Sequence, residues 1–413
     1  MTIALPRLSS GLVLRVLVPL AAGFFLSNFY RSVAAVLSPY LIADLHLTAR
    51  SLGLLTSVYF FTSAVFQAPF GLLMDRYGPR RVQGTLMAVA AVGLVMFGLG
   101  TSDAVLITGR AIMGIGASVA LMTSIQAVVL WFPPPRWPAL NGWIMAAGGL
   151  GSLVASVPAA LLLHLTSWRG LMLMTAAVAV ASAVAVFAIV PEPESSGRRS
   201  SMREQMQGFA SIFRDRLFWR LAPVLMALSG SSLAFSGLWA GPWLKDVGGK
   251  NADGIAVNLL VLTALSVIGF IGIGNIAGAL QRRGLPLARM IGSMMLLSIL
   301  CQTPLLLPSA AGQWVVMVAV GAFSSVSVLV YPMLNAHFPP GLSGRVSTAL
   351  NLFFFIGAFV VQYLTGAIIS LFPQVAPGTY PPAAYQTAFG AMLAIELATW
   401  VWFLVPVKAP ADG

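Results

Sequence analysis

Residues 71–81 read Gly-Leu-Leu-Met-Asp-Arg-Tyr-Gly-Pro-Arg-Arg, between two apolar runs that are each about twenty residues long, the length that crosses a bilayer. Asp75, Arg76, Arg80 and Arg81 cannot rest in hydrocarbon, so this stretch reads as a short loop that fixes one face of a membrane. Gly71 and Gly78 permit close helix approach and a tight turn.

The rest of the 413-residue chain agrees with a membrane setting. It is 58% hydrophobic and 8% charged, with a mean hydropathy of +0.90, whereas a soluble domain carries roughly 25% charge. Cys301 is the single cysteine and lies in an apolar run, which excludes an internal disulfide and a multi-cysteine metal site. Arg7 and Arg15 precede an apolar stretch that continues to about Tyr40 without a small-residue cleavage site, so a first spanning helix is expected there rather than a signal peptide.

Apolar runs fall at about 14–40, 51–74, 82–101, 104–132, 138–165 and 170–190, then at about 220–244, 254–280, 286–307, 312–335, 344–372 and 384–406. The predicted architecture is all-α and integral to the membrane, with twelve transmembrane helices in two pseudo-symmetric six-helix bundles. The N-terminal bundle is expected at 1–190, a cytoplasmic linker at 191–218 and the C-terminal bundle at 219–413. The linker is rich in Ser and charge, and 203–216 has the pattern of a short amphipathic surface helix.

With the N-terminus inside, 17 of the 23 Lys and Arg residues fall in cytoplasmic segments and 4 outside, while Arg31 and Arg110 lie within helices. That bias follows the positive-inside rule and accounts for the +12 charge without any nucleic acid. The expected location is a bacterial inner (cytoplasmic) membrane, multi-pass, with both termini cytoplasmic.

The halves also repeat. Phe132-Pro133-Pro134 matches Phe338-Pro339-Pro340 at an offset of 206, Gly71 matches Gly278 at 207, and Ala139-Leu140-Asn141 matches Ala349-Leu350-Asn351. Paired repeats around a midplane cavity are a common plan of secondary transporters.

On these motifs the chain resembles the major facilitator superfamily. That family's loop pattern G-x-x-x-D-R-x-G-R-R is matched by Gly71, Asp75, Arg76, Gly78, Arg80 and Arg81, with Pro79 added. Its fourth-helix pattern R-x-x-x-G-x-G-A is matched by Arg110, Gly114, Gly116 and Ala117. The resemblance implies that Asp75 latches the halves on the cytoplasmic side, against the start of the eleventh helix near Ser343–Ser347, where free N–H groups favour an anion. It also implies a mainly structural Arg110.

Arg31 is the more informative charge. It shares a helical face with Ser27 and Asn28, and its repeat counterpart is Ala234, so the charge is not duplicated. A membrane-embedded Arg is a functional candidate by default, and its planar fork suits a carboxylate or phosphate. The stretch from Arg31 to Gly71 is similar to the organic-anion (anion:cation symporter) branch, whose first-helix Arg contacts the anion. Two acids often found in that branch are replaced here by Tyr30 and Ala117. Glu396 is the only acid in the middle of a helix and, on a twelfth helix expected at the periphery, reads as structural.

The remaining cavity candidates are Tyr59, Gln126, Ser232, Trp239, Asn258, Ser325, Tyr331 and Asn351. Trp239 and Trp243 fit an interfacial belt equally well. No catalytic cluster, metal-ligand set or cofactor motif stands at membrane depth, so neither an enzyme nor a cofactor is expected. The predicted activity is transport of a small organic anion by a monomer in a lipid bilayer, with proton, counter-ion or no coupling all open. A carrier of a larger amphiphile (drug, siderophore or peptide) and a non-transporting sensor stand as the alternatives.

Overall fold

The computed structural model describes residues 10–133, 136–192, 209–339 and 342–405. The described residues are helical, without a β-strand. The spanning helices are α1 (Val13–Leu45), α2 (Ala49–Gln67), α3 (Arg76–Leu99), α4 (Asp103–Trp131), α6 (Trp168–Ile189) and α7 (Arg216–Asp246). They continue with α8 (Ala252–Arg282), α9 (Leu287–Leu306), α10 (Gln313–Asn335), α11 (Ser343–Ile369) and α12 (Pro382–Leu404). A bent pair, Leu140–Val154 with Val157–Leu165, turns by 43° and supplies α5 as a twelfth span. Pro158, in the first turn of its second arm, has no N–H to continue the first.

Polar residues at the ends set where helices begin. Asp215 caps α7 by accepting from the backbone N–H groups of Leu217 (2.8 Å) and Phe218 (3.0 Å), and Asn251 caps α8 through Gly254 N–H at 2.9 Å. Of the expected linker, 193–208 lies outside the described residues, and 209–214 is helical.

Contacts group the chain into two compact units: Met1–Val33 with Phe61–Arg199, and Ala34–Phe60 with Ser200–Gly413. Residues 34–60, within the stretch expected as the N-terminal bundle, therefore pack in the second unit. Small residues explain how: a Cβ on Gly53 would stand 3.3 Å from Gly366 Cα, so α2 and α11 nearly touch. In lipid, such close approach replaces the hydrophobic drive that holds soluble helices together.

The repeat is visible inside each unit. In the first, a Cβ on Gly151 of α5 would stand 2.1 Å from the Phe25 carbonyl oxygen of α1. In the second, a Cβ on Gly357 of α11 would stand 2.2 Å from the Met226 carbonyl oxygen of α7. The two glycines are 206 residues apart, the offset read from the Phe-Pro-Pro pairs. Both repeats thus cross their first and fifth helices at a glycine that only a bare backbone can fill.

Candidate functional site

The first unit positions Arg31 in the middle of α1. Asn28, 6% exposed, donates from Nδ2 to the Phe24 carbonyl (2.8 Å) and presents Oδ1 to Arg31 Nη2 at 2.6 Å. This (i, i+3) pair holds the guanidinium on one face of the helix. Arg31 is half-buried. One residue earlier, the Tyr30 carbonyl accepts from Nη1 of Arg110 at 2.7 Å, and Arg110 is 3% exposed. Arg110 therefore ties α4 to α1 at the turn that carries Arg31. Gln126, lower on α4, keeps its Oε1 shielded and without a hydrogen-bond partner among the described residues. A buried acceptor left open in this way is suited to a ligand donor or an ordered water.

The loop motif makes a different set of contacts. The stretch 71–81, expected as a short loop, is helical: one helical run extends from Ala49 to Leu99, kinked at Gly78 (φ 77°, ψ 165°) near the start of α3. Arg81 grips Glu192 Oε1 from Nε (3.0 Å) and Nη2 (2.7 Å), and Arg80 approaches the same oxygen at 3.3 Å while donating to the Phe187 carbonyl. Hydrogen bonding and charge from Arg81 hold the exposed Glu192 carboxyl below the usual glutamate range. Arg76 lies over the Tyr77 ring at 5.3 Å. The Asp75 side chain lies outside what the structure describes.

In the second unit, two candidates meet: the Tyr331 hydroxyl donates to Asn351 Oδ1, joining α10 to α11. One turn on, Asn335 Nδ2 donates to Ser347 Oγ at 3.3 Å. Asn258 donates to the Gly254 carbonyl at 2.8 Å and leaves Oδ1 without a partner among the described residues. Ser325 bonds to the Ala322 carbonyl of its own helix, and Tyr59 stands edge-on to Phe60, 2% exposed. Trp239 is 1% exposed, donates to the Gln362 carbonyl at 3.1 Å and fills the slot beside Gly53 and Gly366. Trp243, equally buried, packs on Phe235 and Phe389, so neither tryptophan forms an interfacial belt.

Two of these helices depart from α geometry. α7 carries a π-helical turn at Phe235–Trp239, and α10 passes through a π turn at Ala319–Phe323 into a 3-10 stretch at Ser324–Leu329. Such irregular turns recur at functional sites, because they free backbone groups and allow bending.

Three features were not read from the sequence. Glu192 as the partner of the loop arginines is one; the spacing of more than a hundred residues gives no local signal. Asp246 is the second: it accepts from the Tyr385 hydroxyl (2.6 Å) and the Tyr380 N–H (3.0 Å), while the Tyr380 oxygen accepts from Ala49 N–H at 3.1 Å. The third corrects an expectation. Glu396 is not peripheral but 1% exposed, and its Oε2 accepts from Gln302 Nε2 at 3.1 Å.

Comparison with known proteins bears on the whole of this arrangement. A family model described as Major Facilitator Superfamily matches residues 20–362. A protein of Cupriavidus necator named as a probable sulfoacetate transporter is 23% identical over 273 residues, covering 63% of each chain. One of Escherichia coli named as a probable L-galactonate transporter is 22% identical over 228 residues, covering 52% of this chain and 48% of its own. The chain thus spans between about half and two thirds of the length of these curated relatives. In fold it is similar to a bacterial homologue of the human lysosomal transporter Spinster, solved inward-facing and unoccupied, with a TM-score of 0.77 and 18% identity, covering 96% of this chain and 95% of that one.

Proposed function

The chain belongs to the Major Facilitator Superfamily, as a multi-pass membrane transporter and not an enzyme, and we propose that it carries a small organic anion across the cytoplasmic membrane by alternating access, with Arg31 binding the anionic group. The observation that carries this reading is the guanidinium in mid-span of α1, held on one face by Asn28. A charge at that depth is expensive and is kept where it meets a partner or a wet cavity. The named substrates of the two relatives, sulfoacetate and L-galactonate, are both organic acids, which supports the choice of ligand class.

Gln126, with an open acceptor in the same unit as Arg31, would read a hydroxyl or other donor group of the ligand. Asp75 would act as the cytoplasmic latch, and the matching position in the second repeat, Arg282, cannot supply one. Gripping of Ala49 by Tyr380 and burial of Trp239 against Gly366 would close the opposite face. A ligand that binds one closed state better than the other shifts the balance between them.

The test is a thermal-shift panel of sulfoacetate, galactonate, phosphates and hydrophobic cations on the wild type, Arg31→Ala and Arg31→Lys. Stabilisation by carboxylates or sulfonates that vanishes in Arg31→Ala and weakens in Arg31→Lys is the expected result. Stabilisation by hydrophobic cations alone, or unchanged anion binding in Arg31→Ala, overturns the anion assignment. For the latch, cysteine accessibility should shift in Asp75→Asn and far less in Arg282→Gln; equal shifts would refute it.

A further inference from the structure

Within the second unit, the Glu396 carboxyl borders a cavity of about 10 Å³, lined by Leu228 and Ser232 of α7, Ser298 and Gln302 of α9, Val320 of α10 and Glu396 itself. That is room for one water molecule. Glu396 is the only acid among the described residues that is fully buried. It receives one N–H from Gln302, whose amide also contacts Ser298 Oγ at 3.1 Å. The Ser231 hydroxyl stands beside the same carboxyl and, among the described residues, makes no hydrogen bond of ordinary geometry.

Among the described residues, no positively charged side chain lines the cavity of this acid. The elements packed against α12 near it are α7, α9 and α11, and α10 reaches the cavity through Val320. Their ionisable side chains are Arg216, Arg220, Lys245 and Asp246 on α7, Arg289 and Cys301 on α9, Tyr331 on α10, and Arg345 and Tyr363 on α11, with Tyr385 on α12 itself. Lys245 stands beside Asp246 at the far end of α7, and Tyr331 is bonded to Asn351. Arg220 donates to the Phe403 carbonyl and lies over its ring, Tyr385 is bonded to Asp246, and Tyr363 stacks on Phe359. Arg216, Arg289 and Arg345 stand in the first turns of their helices, and the thirteen residues from Arg289 to Gln302 alone span about 20 Å. Cys301 makes no hydrogen bond to the carboxyl and does not line the cavity. A bare carboxylate in such surroundings, with a single firm donor, is not a stable species; it must hold a proton or a bound cation.

The helix irregularities lie at this same place. Val320 belongs to the π turn of α10, Gln302 ends the regular part of α9 before the 3-10 turn Thr303–Leu306, and Ser232 stands one turn before the π stretch of α7. Three of the four helices around the carboxyl can therefore bend beside it, so a modest change in their packing admits more water. We propose that Glu396 and its cavity form a single-proton site of the C-terminal repeat, neutral in the closed packing described above and discharging to water when α7, α9 and α10 open. In the discharge the carboxyl O–H bond breaks, its electron pair stays on the carboxylate, and a cavity water takes the proton as hydronium. Gln302, Ser231 and Ser298 then supply the donors that the carboxylate needs. Reloading reverses the step, so one proton exchanges per opening. The inference rests on the transport reading but not on Arg31 as the anion site.

Infrared difference spectroscopy of the full-length protein in lipid nanodiscs tests it. The wild type at neutral pH is expected to show a protonated-carboxyl C=O band that shifts in D2O and disappears on alkaline titration. Glu396→Gln, isosteric and able to keep the Gln302 contact, is expected to lose that band, and Glu396→Asp to restore a shifted one. A band that survives in Glu396→Gln, or that never titrates, overturns the proposal. Removal of the band by NaCl but not choline chloride at fixed pH overturns the proton in favour of a sodium site. In proteoliposomes, a pH gradient is expected to accelerate sulfoacetate uptake by wild type, and Glu396→Gln to lose the acceleration. Failure of any tested anion to enter counts against the anion reading alone, while the infrared band still decides the proton site.

Discussion

Arg110 reaches from α4 to the Tyr30 carbonyl, 2.7 Å away, and so fixes the backbone immediately before Arg31. One buried guanidinium thereby serves a neighbouring one. Arg110→Lys keeps the charge but loses the planar fork, and its ammonium cannot reach the same acceptor in the same way. A hydrogen bond between membrane helices contributes about 1–2 kcal/mol at most, so the variant should fold with a lowered melting temperature. Its anion affinity should fall more than its stability does, since Arg31 is no longer held in place. A melting-point drop with full anion affinity, measured on one preparation by thermal shift and scintillation proximity, would leave Arg110 a purely structural residue.

The glycines at the two equivalent crossings make a paired prediction. Gly151→Ala and Gly357→Ala both drive a methyl group into a backbone carbonyl, at 2.1 and 2.2 Å, and neither helix can yield without separating from its partner. Overpacking of this kind costs about 1–3 kcal/mol. Gly142→Ala is the control: it lies inside a helix and meets nothing within 4 Å, so it should be neutral or stabilise by up to about 1 kcal/mol. Melting curves in one detergent should show two similar losses beside an unchanged control.

These crossings also show what was legible in the chain. Spanning runs, charged loops and the 206-residue repeat are one-dimensional patterns, because a bilayer imposes a length and a polarity on every segment. Helix α5 reads in the sequence as one run of 138–165, because its hydropathy does not change across the break before Pro158. Partners across space carry no such pattern. Glu192 looked like one charge of a solvated linker, and Glu396 like a peripheral residue of the last helix, because burial depends on which face of a helix meets its neighbours. Trp239 shows the converse: an aromatic on a pathway helix proved to be the filler between two glycines.

Gly78 combines φ 77° with ψ 165°, a region that residues with a Cβ scarcely visit. The kink sets the course of the rest of α3 and places Arg80 and Arg81 beside Glu192. Gly78→Ala should therefore cost about 1–3 kcal/mol in backbone strain, or else reshape the kink. Either outcome loosens the Glu192 contacts, so amide exchange at 76–81 should rise. Unchanged exchange together with an unchanged melting point would mean that the kink is not under this constraint.

The ion pair at that kink predicts an acid response with a defined sign. Arg81, by hydrogen bond and charge, lowers Glu192 from its ordinary value of 4.5. A group whose folded pKa is depressed stabilises the fold fully above the unfolded value and loses that contribution as pH falls through the folded one. The tie between the end of α6 and the motif loop should therefore be intact at neutral pH and open progressively below about 4.5, the ordinary glutamate range. Glu192 is exposed, so salt should weaken the tie as well. Glu192→Gln should show, at neutral pH, the loop exchange that the wild type shows only in acid, and should lose further response to acid or salt. If hydrogen exchange at 76–81 in Glu192→Gln still rises with acid as in the wild type, another group holds the loop.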